Sequence, residues 1–197
     1  MTVAIARDAS ASDQLVYAWP FPIHGYEVDV TCAADDQVVM CPAYLVGDKL
    51  GPGRHRWRAT DPSRPVAAYF VSTQPMEVSF ACQTSFQIPS SNQPVTLFAH
   101  GSVLVQCPEP SILVAQFVGL PYDAVNDGLM RSVARSCERL VARTLVRRVI
   151  MGGSVNAVTD ESMLPSIAEE LLMQNMTAGA VFGLECTRLL RLEISAD

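Results

Sequence analysis

Three histidines are the side chains of this chain best suited to proton transfer or metal binding. His24, His55 and His100 each lie in a predicted strand or turn, with no Cys, Asp or second His at the spacing of metal ligands. His100 with Ser102 is the one pair that could serve as base and nucleophile of a hydrolase, but no third group is evident to orient the base. The sequence therefore predicts no catalytic residue, no metal site and no cofactor.

Other catalytic patterns are absent from the sequence as well. The chain has no G-x-x-x-x-G-K-[ST], H-E-x-x-H, G-x-S-x-G or G-x-G-x-x-G motif. Adjacent carboxylates occur at Asp35-Asp36, Asp160-Glu161 and Glu169-Glu170. Neighbouring residues on a helix point about 100° apart, so such pairs are typical of solvated faces and not of a shared acid and base. We expect a protein that is not an enzyme.

Arginines recur every four residues in one predicted helix. Each step of four advances about 40° around a helix, so Arg131, Arg135 and Arg139 lie opposite the apolar stripe, and Arg143 and Arg147 drift toward it. One interpretation is an exposed helix with i,i+4 pairs such as Asp127–Arg131 and an acidic neighbour in the same chain. The other is a basic helix that packs on an acidic face of the next copy, which generates rings or filaments. The candidate subunit-interface residues are Arg131, Arg135, Arg139, Arg143, Arg147, Arg148, Glu169 and Glu170.

The charge of the chain is unevenly distributed. Residues 123–153 hold six Arg against three acidic residues, a net charge of +3. Because the whole chain has a net charge of −6, the remaining residues together carry −9. An acidic chain is a poor nucleic-acid binder, because such binding depends on neutralising phosphates. With 49% hydrophobic and 17% charged residues, the sequence favours an apolar surface that meets a partner or a membrane.

A second basic segment runs through Arg54-His55-Arg56-Trp57-Arg58. In a strand its three arginines project to one face, either as an ordinary exposed face or as a contact for anionic lipid headgroups. The aromatic, proline-containing segment 15–23 is predicted either to cover the core as an edge strand or to dip into a bilayer interface. The candidate headgroup or membrane contacts are Arg54, Arg56, Arg58, Trp19 and Phe21.

These residues are positioned by strands first and helices later. Two-residue alternation and apolar runs predict strands over 26–32, 37–41, 43–46, 66–72, 76–82 and 95–107. The last is either one long strand or two strands with a kink at Gly101. Helical periodicity predicts helices over 110–118, 123–151 and from 159 or 160 to 177, before a final strand over 182–195. The fold class is α+β: a mostly antiparallel sheet in the N-terminal half, helices packed on it in the C-terminal half, and a final strand returning. We expect a flexible N-terminal arm over 1–14 and a single domain over 15–197.

The cysteines and the lengths of the apolar runs indicate where in the cell this protein is located. The six cysteines lack any C-x-x-C pair and are predicted to be core residues. No apolar run approaches the roughly 18 residues that span a bilayer, and the N-terminus does not read as a secretory signal. A cytoplasmic location, free or peripheral to a membrane, is expected.

The order of several short motifs resembles an SPFH domain (stomatin, prohibitin, flotillin, HflK; also Band 7), nearest the soluble bacterial virion core protein-like branch. The matching segments, spread from residue 15 to residue 194, are 15–20, 37–39, 46–54, 68–73, 95–102, 107–110 and 183–186. The resemblance implies an antiparallel sheet with packed helices, a non-enzymatic role, homo-oligomerisation as a ring, cage or filament, and often organisation of membrane microdomains. Relatives typically have a membrane anchor before the domain and long segments after it, so we expect either a natural chain that continues beyond Asp197 or assembly through the domain's own surfaces.

Two function classes follow from these patterns. The first is an oligomeric scaffold domain that assembles through charged and apolar surfaces. The alternative is a monomeric module that binds a small ligand or a cargo protein, which a deep apolar pocket with a few convergent polar groups would favour.

Overall fold

The computed structural model describes residues 2–25, 27–121, 124–176 and 182–197. The chain divides into two compact units, each assembled from separate segments. The first draws on Met1–Met76, Gln106–Leu129 and Val181–Leu184, and the second on Glu77–Val105, Met130–Ala180 and Glu185–Asp197. The sequence predicted one domain over 15–197, and no linker marks this division because the units interleave along the chain.

The first unit contains two small sheets. Their strands are β1 (Val3–Ala6), β2 (Val16–Ala18), β3 (Glu27–Cys32), β4 (Asp36–Pro42), β5 (Lys49–Leu50), β6 (Gly53–Arg58) and β7 (Val66–Ser72). One sheet has the order β1-β3-β6 and the other the order β2-β7-β4-β5. Helix α1 (Pro110–Val114) belongs to the same unit.

Both sheets of this unit contribute to one hydrophobic cluster. Val28 and Trp57 come from the first sheet, and Met40 and Phe70 from the second. The alternation of β3 explains its share: Val28, Val30 and Cys32 are buried, whereas Thr31 between them is exposed. Burying a side chain of this size contributes about 1.5–3 kcal/mol, so the cluster stabilises this unit.

The prediction of a flexible arm over 1–14 is wrong for the residues that form β1. Val3–Ala6 pairs in parallel with β3, in register from Val3 opposite Val28 to Ala6 opposite Thr31. Ile5 lies in the hydrophobic cluster, and this burial anchors the segment. The run 43–46 was also predicted to be strand-like, but it forms the turn that joins β4 to β5.

The described residues of the second unit form a three-stranded sheet, two short helices and all but the first five residues of a long helix. Strands β8 (Met76–Ile88) and β9 (Gln93–Gln106) are consecutive neighbours joined by a short turn, and β10 (Glu185–Ala196) lies on the other side of β9. Thr96 and Asp197 exchange both backbone hydrogen bonds, as in an antiparallel pair. The helices are α2 (Val125–Gly152), α3 (Asn156–Thr159) and α4 (Leu164–Met173).

Helix α2 follows its predicted pattern. Leu129, Val133 and Cys137 are all buried, as are Leu140 and Val141. The helix ends at Gly152, and Gly153 adopts a positive φ of 67° that suits glycine. Of the predicted helix bounds, Asp123 and Thr177 lie outside the described residues, and α4 ends at Met173.

The predicted α+β class is confirmed: antiparallel sheet dominates the N-terminal half, helices follow, and β10 closes the chain. The parallel pair of β1 and β3 is an exception to the antiparallel pattern. Within the described ranges, no helix is long and apolar enough to cross a membrane.

Candidate functional site

The arginines of α2 form one exposed stripe. Arg131, Arg135, Arg139, Arg143 and Arg147 are all exposed, while Arg148 is partly buried. The opposite face of the helix is fully buried at Val133, Cys137 and Val141. A spacing of four residues on an α-helix produces this separation, as the sequence predicted.

The last two arginines bind an acidic residue of their own chain. Arg147 and Arg148 both form ion pairs with Glu170 on α4, and Arg148 Nε lies 2.7 Å from its Oε2. Arg148 also donates to the backbone carbonyl and the hydroxyl of Ser166, at 3.0 and 2.8 Å. Glu170 is therefore the acidic neighbour in the same chain that one interpretation of the sequence expected. Its ion pairs with Arg147 and Arg148 join α2 to α4.

The rest of the stripe is not neutralised in this way. Among the described residues, no carboxylate lies within 4.0 Å of the guanidinium groups of Arg131, Arg135, Arg139 or Arg143, so the expected pair with Asp127 does not form. Arg139 donates to the carbonyl of Arg135 at 3.2 Å, and Arg143 to the side chain of Gln174 at 3.3 Å. Four exposed positive charges therefore lie in a row on this face.

An open apolar groove lies at the C-terminal end of the stripe. Its volume is about 440 Å³, and it is lined by Thr84, Ala142, Arg143, Val146, Arg147, Ile150 and Met151. Ile150 is 43% exposed and Met151 is 81% exposed. Arg143 and Arg147 thus flank apolar surface, as their drift around the helix predicted.

Acidic residues of the second unit face solvent on the segment after α2. Glu161 and Glu169 are exposed, and neither forms an ion pair with a described basic residue. Asp160 is also exposed, and hydrogen bonds from the backbone and side chain of Ser162 lower its pKa. The interface candidate Glu169 therefore has no ion pair among the described residues, whereas its neighbour Glu170 is paired.

Strand β6 presents its arginines as predicted, but two of them have acidic neighbours. Arg54, Arg56 and Arg58 are exposed, and Trp57 points inward to the core. Across the strand pair, Arg56 Nε lies 3.2 Å from Asp29 Oδ1 and Arg58 lies 2.8 Å from Glu27 Oε1. This face keeps a net charge of about +1, which weakens it as a site for anionic headgroups because each basic residue contributes roughly 1 kcal/mol there.

Trp19 and Phe21 lie at a different surface, a groove of about 280 Å³. We call it the aromatic groove. It is lined by Ala18, Trp19, Pro20, Phe21, Pro22, Tyr44, Ala67, Tyr69, Gly119, Leu120 and Pro121. Phe21 and Leu120 are 68% and 57% exposed, so its rim is apolar. The sequence grouped Trp19 and Phe21 with Arg54 and Arg56 as candidate membrane contacts. In the structure, the hollow that Arg54 and Arg56 line does not include Trp19 or Phe21.

Tyr69 forms part of the lining of the aromatic groove. Its hydroxyl accepts a hydrogen bond of 3.1 Å from the backbone N–H of Gly119, and its ring packs edge-on against Phe117 at 5.5 Å. Burial raises the pKa of Tyr69, so its phenol keeps its proton at neutral pH. The neutral phenol fixes Gly119 and the following Leu120 at the side of the groove.

Sequence reasoning missed Tyr44, Leu45 and Leu120. The three residues lie in two segments that carried a signal: apolar residues between Pro42 and Gly47, and a leucine between Gly119 and Pro121. Pro and Gly mark turns, and apolar residues in a turn are exposed unless a partner covers them. The turn was instead interpreted as a short strand.

His100 has a partner that the sequence did not reveal. Its Nε2 lies 2.9 Å from Glu193 Oε2 on β10, and hydrogen bonding from Arg191 lowers the pKa of Glu193. Ser102 is buried, however, and no described hydrogen bond joins it to His100. Glu193 could thus orient His100 as the hydrolase hypothesis requires, but Ser102 is not placed as the nucleophile that His100 would activate. Groups of three or more His, Cys, Asp or Glu side chains able to hold a metal ion do not occur in the described part of the chain.

Comparison with protein-family models gives no match for this chain. A comparison with curated proteins gives no significant match either.

Proposed function

We propose that this chain is a non-enzymatic, cytoplasmic scaffold domain that assembles into homo-oligomers through the exposed face of α2. The observation that carries the proposal is the row of arginines at 131, 135, 139 and 143, which faces solvent without an acidic partner among the described residues. The order of the short motifs, which resembles that of SPFH domains, supports the same proposal, because the resemblance implies a non-enzymatic domain that forms homo-oligomers.

The complementary surface is acidic and belongs to a second copy. Glu161 and Glu169 are exposed and form no ion pair with a described residue, and the chain outside α2 is strongly acidic. The basic face of α2 on one copy attracts the acidic surface at Glu161 and Glu169 on the next copy. Because the two surfaces differ, the contact is heterologous and leads to a ring, a cage or a filament. The apolar groove at Ile150 and Met151 supplies surface that can be buried in the same contact.

Peripheral association with an anionic membrane is the second part of the proposal. It rests on Arg54, whose cross-strand partner is Thr31 and not an acid. Since Arg56 and Arg58 are already paired, we expect this association to be weak at physiological ionic strength.

Charge exchange tests the subunit contact. Arg135→Glu/Arg139→Glu should lower the mass of the particle in light scattering, and Glu161→Lys/Glu169→Lys should do the same, because each puts like charges across the contact. The four substitutions together restore opposite charges and should restore the oligomer. Circular dichroism checks that each variant is folded. Oligomers that withstand both double variants would overturn the proposed contact.

Arg143 and Arg147 are less suitable for this test. Arg147 holds Glu170 in its own chain, and Arg143 donates to Gln174. Their substitution would disturb packing of α2 with α4 as well as any contact between copies. Arg135 and Arg139 have no such contact with α4, so their loss reports on the contact between copies.

A further inference from the structure

The aromatic groove lies on a surface that is apolar and open. Phe21, Tyr44, Leu45, Val46 and Leu120 are all exposed large hydrophobic residues of the first unit, and three of the five line the groove. Its volume of about 280 Å³ lies below the roughly 300–1,000 Å³ of typical small-molecule sites. The groove therefore suits a few side chains of a larger partner better than a whole ligand.

The described residues that line this groove include no charged side chain. Burying a charge without a partner is costly, so an occupant that binds here must present an uncharged segment. Phe21 and Tyr44 are exposed and Trp19 is partly buried, and these three rings offer flat faces with little conformational entropy to lose, which favours stacking against rigid rings.

One polar side-chain group of the groove is suited to donate. The indole N–H of Trp19 has no acceptor among the described residues, in contrast to that of Trp57, which donates to Asp48 at 2.7 Å. The hydroxyl of Tyr69 accepts from Gly119 at the buried wall of the groove, so Trp19 supplies the donor. A segment with free carbonyl oxygens and few N–H groups complements this donor, and proline-containing segments have that property because proline lacks the N–H.

The backbone holds Tyr44 in place before any partner arrives. Ala43 and Tyr44 both have positive φ, 51° and 60°, which is rare for residues other than glycine. The turn is closed by hydrogen bonds from Tyr44 N–H to the carbonyl of Cys41 and from Gly47 N–H to that of Met40. Strained backbone of this kind clusters at binding sites, where it fixes a side chain in advance.

We propose that the aromatic groove binds an extended, uncharged, proline-containing segment of a partner protein in the polyproline II conformation. Proline rings stack on Trp19 and Tyr44, and the Trp19 indole donates to a backbone carbonyl of the segment. Aromatic grooves recognise such segments at low entropic cost because the polyproline II helix is already extended before it binds. This site gives the scaffold a way to recruit a second protein, and it does not depend on the assembly surface of α2.

The experiment is a titration of the full chain with a blocked polyproline peptide of about ten residues, followed by NMR of the two indole N–H signals. The Trp19 signal should shift, and the Trp57 signal, whose N–H is already bonded to Asp48, should not. A blocked Gly-Ser peptide of equal length is the control ligand, since it is uncharged but flexible. Neutral phosphatidylcholine vesicles are tested in the same way.

Three variants locate the site. Trp19→Phe keeps a ring but removes the donor and should weaken binding about three- to tenfold. Tyr44→Ala should weaken it more than tenfold, as loss of an aromatic anchor does. Ile112→Ala removes an exposed apolar residue of the same unit outside the groove and should leave the affinity unchanged.

Each outcome decides the proposal. A Trp19 shift with the polyproline peptide supports it when isothermal titration calorimetry also shows weaker binding to Trp19→Phe and to Tyr44→Ala. A response to phosphatidylcholine vesicles but not to the peptide would overturn it in favour of a membrane contact. Equal binding of the Gly-Ser peptide, or no response to either peptide from a folded chain, would overturn it as well.

Discussion

Arg7 and Asp36 form an ion pair in which both side chains are almost withdrawn from solvent, at 10% and 4% exposure, with 2.8 Å between Nε and Oδ2. The other guanidinium nitrogens of Arg7 donate to the carbonyls of Ala11, Gln14 and Phe70 at 2.8–3.0 Å. One side chain thus joins the segment after β1 to strands β4 and β7. A buried charge is tolerated when it is paired and hydrogen-bonded in this manner.

Loss of this arginine should destabilise the fold strongly. Arg7→Met leaves Asp36 buried without a counter-ion, which typically costs about 3–5 kcal/mol in the free energy of unfolding. Urea denaturation followed by circular dichroism measures the change. In Arg7→Met/Asp36→Leu no charge is left unpaired, so part of the loss should be regained. A cost below about 1 kcal/mol for Arg7→Met would contradict this role of the pair.

The anchoring of β1 shows where sequence reasoning reached its limit. Alternation and apolar runs marked β3, β7 and β9 because those strands are long enough to show a period. The four residues of β1 are too few, and its parallel partner β3 is more than twenty residues away in sequence. Small and polar neighbours at 8–13 then made the whole segment look loosely held, although Arg7 ties it down.

Gly101 should be intolerant of any side chain. A Cβ at this position would overlap the carbonyl oxygen of Arg191 and lie 2.8 Å from the ring of Phe80, so β9 could not approach β10 closely. We expect Gly101→Ala to lower the thermal midpoint by many degrees or to prevent folding. Gly128→Ala in α2 meets no atom within 4 Å and should stabilise the chain by about 0.5–1 kcal/mol. Thermal melts compare the two, and similar midpoints would contradict the close approach.

Glu170 should contribute more to stability than its neighbour Glu169. Glu170→Gln removes the charge that Arg147 and Arg148 share and should cost about 1–2 kcal/mol, because the pair with Arg148 is shielded from solvent. Glu169→Gln changes an exposed residue without an ion pair among the described residues and should change stability by less than about 0.5 kcal/mol. Urea titrations of both variants provide the comparison; equal effects would show that the Glu170 clamp does not stabilise the chain.

Four thiols should be protected from reaction until the chain unfolds. Burial raises the pKa of Cys32 and Cys41 to about 11, and that of Cys107 and Cys137 to about 12. Since the thiolate is the reactive form, a disulfide reagent near pH 8 should modify at most Cys82 and Cys186 in the native protein and all six cysteines after denaturation. Rapid modification of more than two native thiols would be inconsistent with this burial.

The same shifts predict a pH dependence. The unfolded chain loses these protons near the ordinary value of 9.0, whereas the folded chain holds them to about 11–12. The folded pKa is the higher one, so the stabilisation is fully present below pH 9 and is lost as the pH rises through 11–12. Denaturation at a series of pH values should show the free energy of unfolding falling across this window. A flat profile would contradict it.

The candidate site was predictable only in part. The arginine spacing alone placed five cations on one exposed face of α2, because a helix fixes direction from sequence position. Which of them are neutralised depends on α4 packing beside α2, and that contact between Glu170 and Arg147 has no sequence signature. The aromatic groove gathers segments that are far apart in sequence, around Trp19, Tyr44 and Leu120, so only the fold could bring them together.

The central claim is that the α2 face joins copies of the chain, and the mass of the wild-type protein in solution tests it most directly. Light scattering at low salt should give a multiple of the 21.4 kDa of one chain. The mass should fall toward one chain as salt screens the contact over about 10 Å at 0.1 M and about 3 Å at 1 M. A mass of 21.4 kDa at every salt concentration and at high protein concentration would contradict the account.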